Sequence, residues 1–174
     1  ARRTAQRMTR LQTELARLYP PAAAGLTHAL VLELARPADW GALSAVWNGV
    51  QTELDLPAPA IAVSGIDGYQ LWFSLLDPLP VAQAHAFLDA LRVRYLGDIA
   101  RERLRLLPTA GPAPWHAGAV PAQQAQSGYW SAYVAPDLAP AVVSLVDAHD
   151  RICGAATRLL ALKDRPATQG NIDL

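Results

Sequence analysis

The chain has a single cysteine, Cys153, and a single methionine, Met8, in 174 residues. A lone thiol cannot close an internal disulfide, and no second cysteine is present for a CxxC metal or redox motif, so a reducing, cytoplasmic setting is expected. Charge is scarce as well. Only 17% of residues are charged against 52% hydrophobic, and fifteen basic side chains balance fifteen acidic ones. That balance excludes a disordered polyelectrolyte and removes any global field that would steer the molecule to nucleic acid or an anionic membrane. Lysine is almost absent, Lys163 being the only one, which reads as base-composition bias. No apolar run nears the ~18 residues of a membrane span, and the stretch ARRTAQRMTRL lacks the apolar segment of a signal peptide. The expectation is therefore a soluble, unsecreted protein with no membrane partner.

Several motifs are missing too. There is no GxxxxGK[ST], no GxSxG and no GxGxxG, which removes the usual support for P-loop, hydrolase-elbow and dinucleotide readings. His28, His85, His116 and His149 show neither HxH nor HxxxH spacing, which argues against a zinc site. Cys153 stands four residues after His149 among small and apolar neighbours and reads as a packing thiol.

What is present is periodicity. The length fits one domain, 1–174. Met8, Leu11, Leu15 and Leu18 recur at helical spacing over 2–18, ahead of Tyr19-Pro20-Pro21. LTHALVLELA, 26–35, has the composition and length of a buried strand. Asp39 is a candidate N-cap for a helix with Leu43, Val46, Trp47, Val50 and Leu54 on one face. Residues 60–64 and 69–75 read as two strands of a hairpin around GIDG, and Asp77-Pro78-Leu79-Pro80 as a break. A helix then follows over 81–98, and RERLRLLPT, 101–109, reads as a strand, with a helical continuation as the competing assignment.

In order, 26–109 spells β-α-β-β-α-β, an α+β, RRM-like antiparallel sheet core with two helices on one face and additional N- and C-terminal helices. The other face is expected to be open. Residues 110–126 read as an irregular loop lying over the sheet surface, 127–134 as a further strand, 138–162 as a C-terminal helix capped by Asp137, and 164–174 as a frayed tail.

The stretch Ser64-Gly65-Ile66-Asp67-Gly68-Tyr69-Gln70-Leu71-Trp72 resembles a motif of the archaeo-eukaryotic primase (primase-polymerase) superfamily, which includes the polymerase domain of bacterial ligase D. In that family a strand ends in Ser-Gly, a glycine turn follows, and the next strand carries a His. The resemblance spans about 26–109. It implies a nucleotide-binding site at Ser64, Gly65, Gly68, Gln70 and Trp72, where glycines admit a triphosphate and a hydroxyl adds hydrogen bonds. The family's His position is Gln70, which cannot carry a positive charge. Its paired strand acids correspond to Glu33-Leu34-Ala35, so one carboxylate of the two is missing. Glu33 is the expected metal and catalytic residue, with Asp98 the candidate for a further acid, and only weak Mg²⁺ or Mn²⁺ binding is implied.

Each of these residues has a plainer reading. Glu33 at a strand end can simply pair with an Arg of the adjacent strand. Gln70 and Trp72 share the face opposite Leu71 and Phe73, so Trp72 is either a base-stacking platform or core beneath the loop around Trp115 or the C-terminal helix. Arg92, Arg94, Arg101, Arg103 and Arg105 lie within fourteen positions and either contact nucleic-acid phosphates or form a solvated, salt-bridged face. An extended 101–109 would send Arg103 and Arg105 out on one side.

Three functions follow. The first is a degenerate, catalytically impaired primase-polymerase-like domain that binds single-stranded nucleic acid or a nucleoside triphosphate in replication, repair or mobile-element maintenance. The second is an active metal-dependent nucleotidyltransferase. The third is a protein-interaction module with a protein partner and no nucleotide.

Overall fold

A computed structural model describes residues 9–35, 37 and 39–134. The helix expected over 138–162, the tail, His149, Cys153 and Lys163 lie outside the described residues.

The fold is α+β. Its elements are α1 (Arg10–Leu18), β1 (Leu26–Leu34), α2 (Trp40–Thr52), β2 (Ala60–Val63), β3 (Tyr69–Pro80), α3 (Val81–Tyr95), a 3-10 turn (Arg101–Arg103), β4 (Leu104–Leu107) and β5 (Ala132–Tyr133). The strands form one sheet in the order β4-β1-β3-β2-β5, with every neighbouring pair antiparallel. The order β-α-β-β-α-β expected from the sequence runs from β1 to β4.

Alternation sorts the strands' side chains onto two faces. Leu30, Leu32 and Leu34 of β1, Leu71 and Leu75 of β3, and Leu104 and Leu106 of β4 are buried under α2 and α3. Leu43, Val46 and Val50 meet them from α2, and Ala84, Phe87, Leu88 and Leu91 from α3. Phe87 stands edge-on to Phe73, with ring centroids 5.9 Å apart. Asp39 caps α2 as expected, its carboxylate accepting from the Ala42 amide at 3.2 Å. Gly49 lets α2 close on α3, since a Cβ there would lie 2.3 Å from the Tyr95 ring. Arg94 and Glu53, 2.9 Å apart and nearly buried, tie the ends of the two helices together.

Four boundaries differ from expectation. The helix expected from Arg2 begins at Arg10, because Thr9 is extended and forms a capping box with Gln12. The strand expected to stop at Leu75 continues to Pro80. Its register against β1 passes from Ala29↔Ser74 to Thr27↔Leu79, so the prolines are carried by a bulge rather than by a break. His28 braces that bulge through Nδ1, 3.0 Å from the Leu75 carbonyl. Residues 101–103 form a 3-10 turn, so Arg103 is not on the strand with Arg105. The strand expected over 127–134 shrinks to Ala132–Tyr133, preceded by an isolated bridge between Gln123 and Trp130.

The second face of the sheet is not open. Val31, Ala60, Ala62 and Trp72 are buried there with Val120, and Tyr19, Ala117 and Tyr133 pack around them. The segment 117–133 and the end of α1 together form this lid.

Candidate functional site

A row of residues crosses the covered face. Arg105 on β4 stands opposite Glu33 on β1, Glu33 opposite Gln70 on β3, Gln70 opposite Ala62 on β2, and Ala62 opposite Tyr133 on β5. Glu33, the expected metal residue, and Gln70, of the expected nucleotide site, are brought together there on neighbouring strands.

Their chemistry is a closed hydrogen-bond chain. Gln70 Nε2 donates to Glu33 Oε2 at 2.6 Å, and Trp72 Nε1 donates to Gln70 Oε1 at 2.9 Å. Arg105 donates to Glu33 Oε1 at 3.3 Å. The amide orientation of Gln70 follows from its neighbours, because an indole N–H needs an acceptor and a carboxylate needs a donor. Glu33, Gln70 and Trp72 are 4%, 8% and 5% exposed, and buried polar groups of this kind are tolerated because each has a partner.

The arrangement bears on the metal expectation. Both carboxylate oxygens of Glu33 are engaged by side chains of the protein, and Ala35 supplies no second acid. Asp98 stands exposed in the turn after α3, and no group of three or more His, Cys, Asp or Glu residues suited to a metal occurs among the described residues. The donor set does not fit a two-metal centre.

The glycine turn is also internally occupied. Ser64 Oγ accepts from the amides of Ile66, Asp67 and Gly68 at 3.2, 3.1 and 3.0 Å. The hydroxyl expected to face a triphosphate instead organises its own turn, a common role for Ser at such positions. Gly65 has φ +76°, and a Cβ on it would lie 2.7 Å from the Trp130 backbone. At Gly68 a Cβ would lie 2.3 Å from the Leu34 carbonyl oxygen. Both glycines are needed for close approach, and what approaches them is protein.

Trp72 is core rather than platform. Tyr19 packs on it at 5.0 Å and Tyr133 edge-on at 6.2 Å. Burial pushes the phenols of Tyr19 and Tyr133 up from their usual range.

The five arginines fare differently from one another. Arg94 is buried against Glu53 and Tyr95 and cannot reach a phosphate. Arg103 donates to the Pro37 carbonyl. Arg92 uses Nε on Asp89 at 2.8 Å. Arg101 is exposed, and Arg105 remains 58% exposed while touching Glu33. Among the described residues no helix is long and apolar enough to cross a membrane.

Sequence reasoning missed what surrounds these arginines. A cleft of about 510 Å³ runs along β4, where Arg92, Arg101 and Arg105 meet His85, His116 and Trp115. Its only sequence signal is an aromatic beside a histidine in a Pro-rich loop, which carries no register. No protein-family model matches the chain, and no curated protein matches it either.

Proposed function

We propose that the chain is a non-catalytic, RRM-like relative of the primase-polymerases that binds single-stranded nucleic acid or a nucleotide. The observation that carries this reading is the row Arg105–Glu33–Gln70–Trp72. It stands where the family resemblance puts metal and triphosphate, and its polar atoms are satisfied by one another. A carboxylate that already accepts two hydrogen bonds has little capacity left for a hydrated divalent cation. Binding is the role that remains, supported by the exposed Arg101 in the 3-10 turn and the exposed Arg105 on β4. A reducing cytoplasm and a task in replication, repair or mobile-element maintenance belong to the same proposal.

The test has two arms. Primer extension with Mg²⁺ or Mn²⁺ is expected to give no product, and fluorescence anisotropy is expected to detect a labelled oligothymidylate at low salt, with affinity falling as salt rises. Template-dependent incorporation lost in Glu33→Ala would establish the active nucleotidyltransferase instead. A second reading, a protein-interaction module, is favoured by Tyr129, Trp130 and Val134, which leave 71%, 60% and 45% of their surface exposed next to β5.

A further inference from the structure

We infer that the cleft along β4 is the ligand site, and that it takes a nucleotide unit, with phosphate on Arg101 and Arg105 and base on Trp115. This inference rests on the binding function proposed above and moves its location from the glycine turn to the opposite edge of the sheet.

Three observations carry it. The first is charge that is free to act. Arg101 makes no side-chain hydrogen bond or ion pair among the described residues, Arg105 is mostly solvated, and Arg92 keeps its terminal nitrogens unpaired there. The acid in contact with Arg105 is Glu33, which Gln70 also holds, so Arg105 can turn to a phosphate without leaving Glu33 unpartnered.

The second is an aromatic held ready. Trp115 is 77% exposed, an unusual position for the largest apolar side chain. Its backbone is nonetheless pinned at both polar groups, since the Thr109 amide donates to its carbonyl at 2.9 Å and its own amide donates to Thr109 Oγ1 at 2.8 Å. A base stacked on such an indole pays little ordering cost, and stacking accepts any base.

The third is size and polarity. The volume of about 510 Å³ falls in the range of small-molecule sites, and His85 and His116 add hydrogen-bonding rings to the rim. His85 is fixed through Nδ1, 3.1 Å from the Pro108 carbonyl. A carbonyl only accepts, so Nδ1 carries the hydrogen and Nε2 is left as the ring's other polar atom.

The experiment compares the parent chain with Trp115→Ala, Arg101→Ala/Arg105→Ala and the control Arg10→Ala, titrating labelled oligothymidylate and, separately, ATP. The side chains of Trp115, Arg101, Arg105 and Arg10 are all largely exposed, and circular dichroism melts check folding. Trp115→Ala is expected to weaken binding about tenfold. The double variant is expected to lower the slope of log affinity against log salt by about 0.7 for each phosphate that is no longer neutralised, and Arg10→Ala to bind as the parent does. Tighter binding of the oligonucleotide than of ATP assigns the site to a strand, and equal affinity assigns it to a free nucleotide; both uphold the cleft. Parent-like binding by the folded Trp115→Ala and double variants overturns the cleft and leaves the proposed function standing. Absence of binding of either probe by the parent overturns both.

Discussion

The two faces of the sheet are built on different rules. Under α2 and α3 the buried cluster is built of apolar residues, from Leu30 and Leu71 to Phe87 and Leu91. Beneath the lid of 117–133 the described residues form a smaller buried apolar cluster, Val31, Ala60, Ala62, Trp72 and Val120, and a polar chain through Glu33 runs beside them. The helical face draws its stability from area removed from water, roughly 25 cal/mol per Å². The lidded face depends on satisfied hydrogen bonds, whose net worth is small but whose loss is costly. The difference teaches that burial alone does not identify a core, because Glu33 is as buried as Ala60 and for another reason.

The largest effect belongs to the helical face. Phe87→Ala should lower the unfolding free energy by about 3–5 kcal/mol in denaturant titrations, through lost transfer energy and an unfilled cavity. A change well below that range would mean the two faces are not so unlike. Next comes Glu33→Ala, which strips Gln70 Nε2 of its acceptor and should cost about 1–3 kcal/mol. Arg105→Ala, removing a mostly solvated partner, should cost at most about 1 kcal/mol. Equal losses in these two variants would show that the ion pair, rather than the Gln70 amide, holds the lidded face.

The smallest effect is a pH dependence that touches both faces. Burial, with help from the Glu53 carboxylate and against Arg94, pushes the Tyr95 phenol up to about 12 from 10.0. Tyr19 and Tyr133 move in the same direction for want of solvent. The folded protein then holds protons that the unfolded chain releases above pH 10, so the unfolded state binds fewer protons and stability falls as pH rises. Stability is fully present below pH 10 and is lost as pH climbs toward 12. Unfolding curves across that window should show the fall, and Tyr95→Phe should shrink it. An unchanged slope in Tyr95→Phe would assign the effect to the lidded face, where Tyr133→Phe is the matching variant.

The same contrast governs how much could be read in advance. α2, α3, β1 and the hairpin were legible because burial under helices imposes regular spacing on both partners, as at Leu43, Val46 and Val50. That Glu33 and Gln70 belong to one site came from the family resemblance and not from periodicity, which gives a strand's faces but not its neighbour. The bulge that carries Pro78 was not legible, since a proline in a run reads as a stop. The lid was read only as a loop lying over the sheet; that Ala117 and Val120 do the covering was not, because the segment has no period and no local pattern says which way a loop returns. Trp72 was correctly placed on the second face, but its choice between platform and core depended on that return.

One consequence concerns β4. Among the described residues it is an outer strand, only four residues long, with a 3-10 turn before it and Pro108, which has no amide hydrogen to offer, directly after it. Arg105 projects from its middle and remains mostly in water. A short, cationic, proline-ended border is a poor template for a strand from another molecule. The edge that gathers the free arginines is thereby also protected against sheet-to-sheet growth, so crowding of many copies at high concentration is not expected to start there.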